Sequence, residues 1–341
     1  MKKVSYFLLV VSVLVILPNM AQAQGSLKGY MVGEYYSVLD HNNEDLKGMN
    51  GFWFRRIYFT FNSKLTDNIS MRLRFEMNSE SFGSATLGAV VKDAYLSTKL
   101  GGHTLMAGIQ PTPTFGFLFE DIWGYRALEK TPLDLFKFAS SRDFGIGLKG
   151  NLDSKGTVSY NLLFGNGSSN KGEANKGKRL YAALAFKPAK GFTLSVYGDY
   201  EHKNPDSKLY TYQGWATYEG DWGRIGLLYA NQALTNGTTY NMGLFSAFAI
   251  FKAGEKIELI ARYDKAMTDD WEMKFKGSGF DYVPMADYVR PNFIIAALSW
   301  QAAKDVWIIP NIKYSFYDSP ALGDKPGSDI YAILTLWFKF K

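Results

Sequence analysis

Nine consecutive residues, 69–77, constrain the fold of this chain more than any others. They read ISMRLRFEM: Ile69, Met71, Leu73, Phe75 and Met77 fall on one side of a two-residue period, and Ser70, Arg72, Arg74 and Glu76 on the other. At this length the pattern describes a β-strand with one apolar and one charged face. A helix would scatter the arginines and the glutamate among the apolar side chains. The same alternation returns in 143–149, 257–264 and 334–341. Segments 241–251 and 292–300 are apolar on both sides, which predicts strands covered twice, at a subunit interface or by a packed loop.

Period two and turn signals together predict sixteen strands. They lie near 27–38, 51–63, 68–79, 88–100, 103–110, 142–151, 156–166 and 178–188, then 191–202, 208–219, 222–233, 238–252, 256–267, 290–303, 306–318 and 327–341. Short connections such as Gly101-Gly102 and Glu219-Gly220-Asp221 are expected on one side of the strand count. Long ones (39–50, 111–142, 166–178, 267–289 and 319–327) are expected on the other. Short turns at one end, long loops at the other and an even strand number mark a transmembrane antiparallel β-barrel. A soluble sandwich connects its strands by Greek-key crossovers and has no reason to sort them by length. The mature chain has no run of eighteen apolar residues, so spanning helices are not expected, and a closed barrel is the other way to satisfy the backbone in lipid. Sixteen strands leave an aqueous lumen.

The N-terminus fits export. Lys2 and Lys3 precede an apolar run over 4–17, and Ala21-Gln22-Ala23 follows. This is the charged, apolar and small-residue order of a secretory signal. The expectation is cleavage after Ala23, with 1–23 a signal peptide and 24–341 a single barrel domain in a bacterial outer membrane. Net charge is +6, and +4 once Lys2 and Lys3 are gone. Without a basic run this does not point to nucleic acid. Cysteine is absent, which removes disulfides and thiol chemistry. No cofactor and no metal site is expected. The acids of 40–45 lack the regular spacing of a calcium loop and read as a solvated rim facing lipopolysaccharide. Trp222, Tyr282 and Trp307 are expected in an interfacial aromatic belt.

The stretch 111–142, PTPTFGFLFEDIWGYRALEKTPLDLFKFASSR, is too long for an ordinary connection and too aromatic for disorder. It carries four acids (Glu120, Asp121, Glu129, Asp134) and four bases (Arg126, Lys130, Lys137, Arg142). It is expected to fold into the barrel mouth and narrow the pore. Arg56, Arg72, Arg74 and Glu76 would face the lumen from the wall, opposite Glu120, Asp121, Arg126 and Arg142. A basic wall facing acidic Glu120 and Asp121 sets a transverse field and a mild anion preference. Arg55 falls in phase with Ile57 and Phe59 and is expected to snorkel at the outer rim. Phe115, Phe117, Phe119, Trp123 and Tyr125 either stack sugars at the constriction or pack the loop on the wall. His41, His103 and His202 lie in no catalytic motif, so an outer-membrane hydrolase is a remote reading and no enzymatic activity is expected.

In FRRIYFTFNSKLTDNISMRLRFE (54–76), KDAYLSTKL (92–100), AGIQPTPTF (107–115), WGYRALEKTPLDL (123–135) and SSRDFGIGLKG (140–150), the chain resembles the phosphate-selective porin O and P family in its Bacteroidota-like form. The resemblance covers nearly the whole mature chain. It implies a sixteen-stranded barrel, commonly a homotrimer in outer-membrane lipid, whose inward third loop maps onto 111–142. The function implied is passive diffusion of small ions and polar solutes, with a channel specific for phosphate or oligosaccharide as the alternative. Members that favour phosphate carry more lumen-facing bases than can be placed here, and Lys341 follows the aromatic Phe340 where an aromatic residue usually ends the barrel.

Overall fold

The computed structural model describes residues 25–79, 87–113, 117–204, 207–275, 283–318 and 323–341, apart from the side chains of 203 and 204. The export segment with its cleavage position, Phe115 and Tyr282 lie outside the described residues. Sixteen described strands form one closed antiparallel barrel, each paired with its neighbours in sequence and the last paired back to the first. They are β1 (Gly25–Asp40), β2 (Asn50–Lys64), β3 (Ile69–Asn78), β4 (Gly88–Leu100), β5 (His103–Pro111), β6 (Arg142–Asn151), β7 (Val158–Gly165) and β8 (Lys178–Phe186). The ring continues through β9 (Phe192–Asn204), β10 (Ser207–Gly220), β11 (Gly223–Asn236), β12 (Thr238–Lys252), β13 (Ile257–Ala266), β14 (Pro291–Ala303), β15 (Val306–Tyr317) and β16 (Asp329–Phe340). Every expected strand boundary falls within three residues of the observed one.

The two faces are distributed as a membrane requires. Phe59, Phe61, Phe75, Ile146, Leu334 and Leu336 are exposed on the outside, whereas Glu34, Arg56, Asp143, Lys313 and Thr335 are buried within. Closing the ring leaves no strand edge unpaired in hydrocarbon. Connections at the end bearing the termini are short. Gly101, at φ +60°, lets β4 return into β5 through two residues.

At the opposite end the expected sorting by length fails twice. β9 and β10 join through 205–206, and β11 and β12 join through Gly237 alone, at φ +73°. The reason is that these hairpins stay paired to their tips. β11 and β12 run in register from Gly223↔Phe251 to Asn236↔Thr238, so residues available for a loop became ladder.

Two bulges change which charges face inward. Between β1 and β2 the register passes from Val32↔Arg56 to Gly33↔Phe54, leaving Arg55 as the extra residue. Arg55 and Arg56 therefore both point inward, each only 2% exposed. This corrects the expected position of Arg55 at the outer rim: a one-residue bulge resets the inside–outside phase of a strand. Between β3 and β4 the register passes from Arg74↔Asp93 to Phe75↔Val91, and the extra residue Lys92 reaches inward beside Asp93. Trp307 also departs from expectation. It stacks on Trp337, with ring centroids 4.6 Å apart, on the inward face it shares with Ile309 and Lys313.

The doubly apolar strands are covered by loops. Leu244, Phe248 and Ile250 of β12 and Phe293 and Ile295 of β14 join one buried cluster with Phe119, Trp123, Leu133, Phe136 and Phe138 of the β5–β6 connection. Trp271, Val283 and Met285 of the β13–β14 connection complete it.

Candidate functional site

The β5–β6 connection, 112–141, carries two short helices, α1 (Phe119–Trp123) and α2 (Pro132–Leu135). Its backbone is tied to strands spread around the ring. Arg55 of β2 donates to the carbonyls of Ala127, at 2.9 Å, and of Leu128. Arg224 of β11 donates to Ile122 O at 2.7 Å. Arg262 of β13 donates to Lys130 O, and Gln232 of β11 and Arg179 of β8 both donate to Phe138 O. Each fixes a carbonyl left without a partner where α1 and α2 end or the chain turns.

Beneath the connection lies a fully buried charge cluster. Glu129 receives Arg55 at 2.8 Å and Lys313 of β15 at 2.9 Å. Glu34 of β1 backs Arg55 at 3.4 Å and accepts from Trp53 and Thr335. Burial alone would raise the Glu129 carboxyl, but the two cations outweigh it and hold the group well below the usual carboxylate range. Asp134 is likewise lowered against its burial, by Lys130 and Arg126, and it bonds Arg126 at 3.1 Å.

Between α1 and the β1–β6 wall is a cavity of about 440 Å³. Of the eight residues expected at a constriction, Arg72, Arg74, Glu120, Asp121, Arg126 and Arg142 line it. Arg56 and Glu76 face inward but lie buried behind it: Glu76 receives Arg56 at 2.7 Å and Lys92 at 2.7 Å. Arg142 pairs with buried Asp93, which also stands 3.4 Å from Arg74. Glu120 is drawn to Arg126 at 3.4 Å. Asp121 has no ion-pair partner among the described residues, and burial, with Glu120 beside it, raises its carboxyl above the ordinary aspartate value. The two loop acids expected to face the basic wall, Glu120 and Asp121, both line this cavity, while Glu129 and Asp134 are taken up in holding the loop.

Sequence reading missed two cations. Lys149 of β6 and Lys339 of β16 line the same cavity, and, like Arg72, neither meets a carboxylate at ion-pair distance among the described residues. Period two places both lysines on the polar face; only the closed ring, which pairs β16 with β1, brings Lys339 to the cavity that Arg72 and Lys149 line. Beyond α1 a second cavity of about 570 Å³ is lined by Asp121 and by the turn lysines Lys155, Lys187 and Lys190. The loop aromatics pack rather than line. Phe119, Trp123 and Tyr125 are buried, with Trp123 5.3 Å from Phe248 and Phe119 5.4 Å from Trp215. The three histidines stand apart: His41 at the mouth beside Asp329, His103 against Tyr160, His202 against Tyr200.

The family model described as phosphate-selective porin O and P matches residues 31–249. A search of curated proteins finds no match. Among solved structures the chain is similar to the anion-selective porin from Comamonas acidovorans, with TM-score 0.70, 10% identity, 94% of this chain and 100% of that chain covered. It is also similar to Salmonella typhi OmpF in complex with daunomycin, at TM-score 0.66 and 12% identity, covering 93% and 98%. The in-vitro folded trimer form of OmpT from Vibrio cholerae follows at TM-score 0.62 and 12% identity, covering 93% and 99%. Likeness at such low identity speaks for a shared barrel.

Proposed function

The chain belongs to the phosphate-selective porin O and P family, and from that premise we propose how its pore selects solutes. Membership and the closed sixteen-strand ring make it an outer-membrane diffusion channel for small hydrophilic solutes. On our reading, the β5–β6 connection folds into the lumen and narrows it. Its support is the spread of its anchors: one connection bonded to β2, β8, β11, β13 and β15 must pass between them. The passage then runs along the β1–β6 side, because the buried apolar cluster fills the other.

The observation that carries selectivity is the charge balance at the cavity. Arg72, Lys149 and Lys339 meet no carboxylate at ion-pair distance among the described residues, and the loop opposes them with Asp121 and with Glu120, which is shared with Arg126. A lumen with surplus fixed cations concentrates anions and repels cations. The expected channel is broad and mildly anion-preferring. Export by a signal peptide cleaved after Ala23, lipopolysaccharide at the loop-bearing rim and assembly as a homotrimer complete the reading. No catalytic role is assigned to the chain, since its histidines are scattered and the family's role is transport.

Reversal potentials of single channels in a KCl gradient test this. The unaltered channel is expected to favour chloride. Arg72→Glu combined with Arg74→Glu should move the potential toward cation preference. A potential unmoved by that double change would sink the wall assignment.

A further inference from the structure

A row of aromatic rings runs along the inward face of four adjacent strands, its last member, Tyr58, buried. Trp307 of β15 stacks on Trp337 of β16 at 4.6 Å; Trp337 meets Tyr30 of β1 edge-on at 6.4 Å; Tyr30 meets Tyr58 of β2 edge-on at 4.8 Å. Each ring sits on the face whose neighbours point inward, shared with Asn311, Thr335, Val32 and Thr60 respectively. Cations lie over these rings. Lys339 Nζ is 4.7 Å from the Trp307 centroid and 4.2 Å from that of Trp337, and Arg74 Cζ is 4.9 Å from that of Tyr58.

Charge selection alone does not explain this row. Fixed cations attract chloride, phosphate and acetate alike, and rings add nothing for them. Rings alone would favour a flat neutral solute and leave the cations idle. A cation seated at a ring face offers both contacts within one molecule's reach. Lys339 is exposed toward the lumen and has no carboxylate at ion-pair distance among the described residues, so its charge is free for a solute.

We propose that the β15–β16–β1–β2 wall is a binding track for organic carboxylates that carry a flat apolar face, with Lys339 and Arg74 taking the carboxylate, Trp337, Trp307 and Tyr30 the body, and buried Tyr58 supporting Tyr30 and Arg74 from behind. The proposal rests on the diffusion-channel reading. It adds a solute class, aromatic carboxylates, to what charge balance alone selects.

Purified channels in planar bilayers carrying KCl current, with benzoate, acetate, inorganic phosphate or maltose added to one side, provide the test. Benzoate should interrupt the current at concentrations about tenfold below acetate, the factor that one added ring–ring contact supplies. Trp337→Leu should erase that difference, and Lys339→Met should weaken both carboxylates. Tyr30→Leu repeats the ring test if Trp337→Leu loses the β-sheet signal of the folded barrel in circular dichroism. Equal interruption by benzoate and acetate would overturn the track. So would phosphate or maltose acting more strongly than benzoate. A folded protein passing no KCl current at all would instead overturn the channel reading beneath it.

Discussion

Asp121 sits where two cavities meet, and a single proton there changes the charge that a passing ion meets. Burial and the neighbouring Glu120 raise its carboxyl, so it takes up a proton sooner than an ordinary aspartate of about 3.9 as the pH falls. Protonation removes one of the loop's two negative charges at the cavity while Arg72, Lys149 and Lys339 stay positive. Anion preference should therefore rise as the bath is taken from pH 7 toward pH ~4, the ordinary aspartate range. Asp121→Asn should show the higher preference already at neutral pH and respond little to further acid. Reversal potentials across a pH series check this, and a variant that tracks the parent at every pH would refute it. The charged residues at this scale were legible: alternation in 69–77 put Arg72 and Arg74 on the polar face. Whether each such charge is free or spent was not, because Glu76 and Asp93 reach their partners through space.

Among the ties that hold the β5–β6 connection, Glu129 joins β2 to β15 through Arg55 and Lys313. Its carboxyl is depressed, so this contribution is present at every pH above the unfolded value of about 4.3 and is lost only as pH falls through the lower folded one. The loop should thus stay fixed across the range in which Asp121 titrates. Glu129→Gln leaves two buried cations short of a carboxylate, at a cost of about 3–5 kcal/mol. The expected result is a lower unfolding temperature with a larger, noisier single-channel conductance; conductance identical to the parent would mean that the loop is not part of the constriction. The long connection itself stood out in sequence by its length and aromatic content. Arg55, its main anchor, is expected outside because the doubled arginine breaks the alternation without saying which of the two residues is the extra one, and only the register with β1 shows that both turn inward.

For the whole molecule, burial runs opposite to that of a soluble protein: apolar side chains are exposed around the outside and charges are enclosed. Phe59, outward near the middle of β2 between Gly29 and Phe75, should meet hydrocarbon. Phe59→Arg should then destabilise the barrel by about 2–4 kcal/mol in lipid vesicles, as a cation does near the bilayer midplane. Urea unfolding from vesicles measures it. A variant as stable as its parent would place that face against water or protein instead.

Alternation, turn chemistry and loop length are local properties, and they were enough to specify sixteen strands, one lipid-facing side and an outer-membrane pore. Each depends only on neighbours along the chain, through a two-residue pleat and short hydrogen-bonded turns. Which charges cancel, which aromatics pack and which line the passage came from closing the ring. Closure sets β16 against β1 and lets strands far apart in sequence bond one connection. Coulomb and ring contacts act over a few ångströms in space, and no pattern along the chain records those distances.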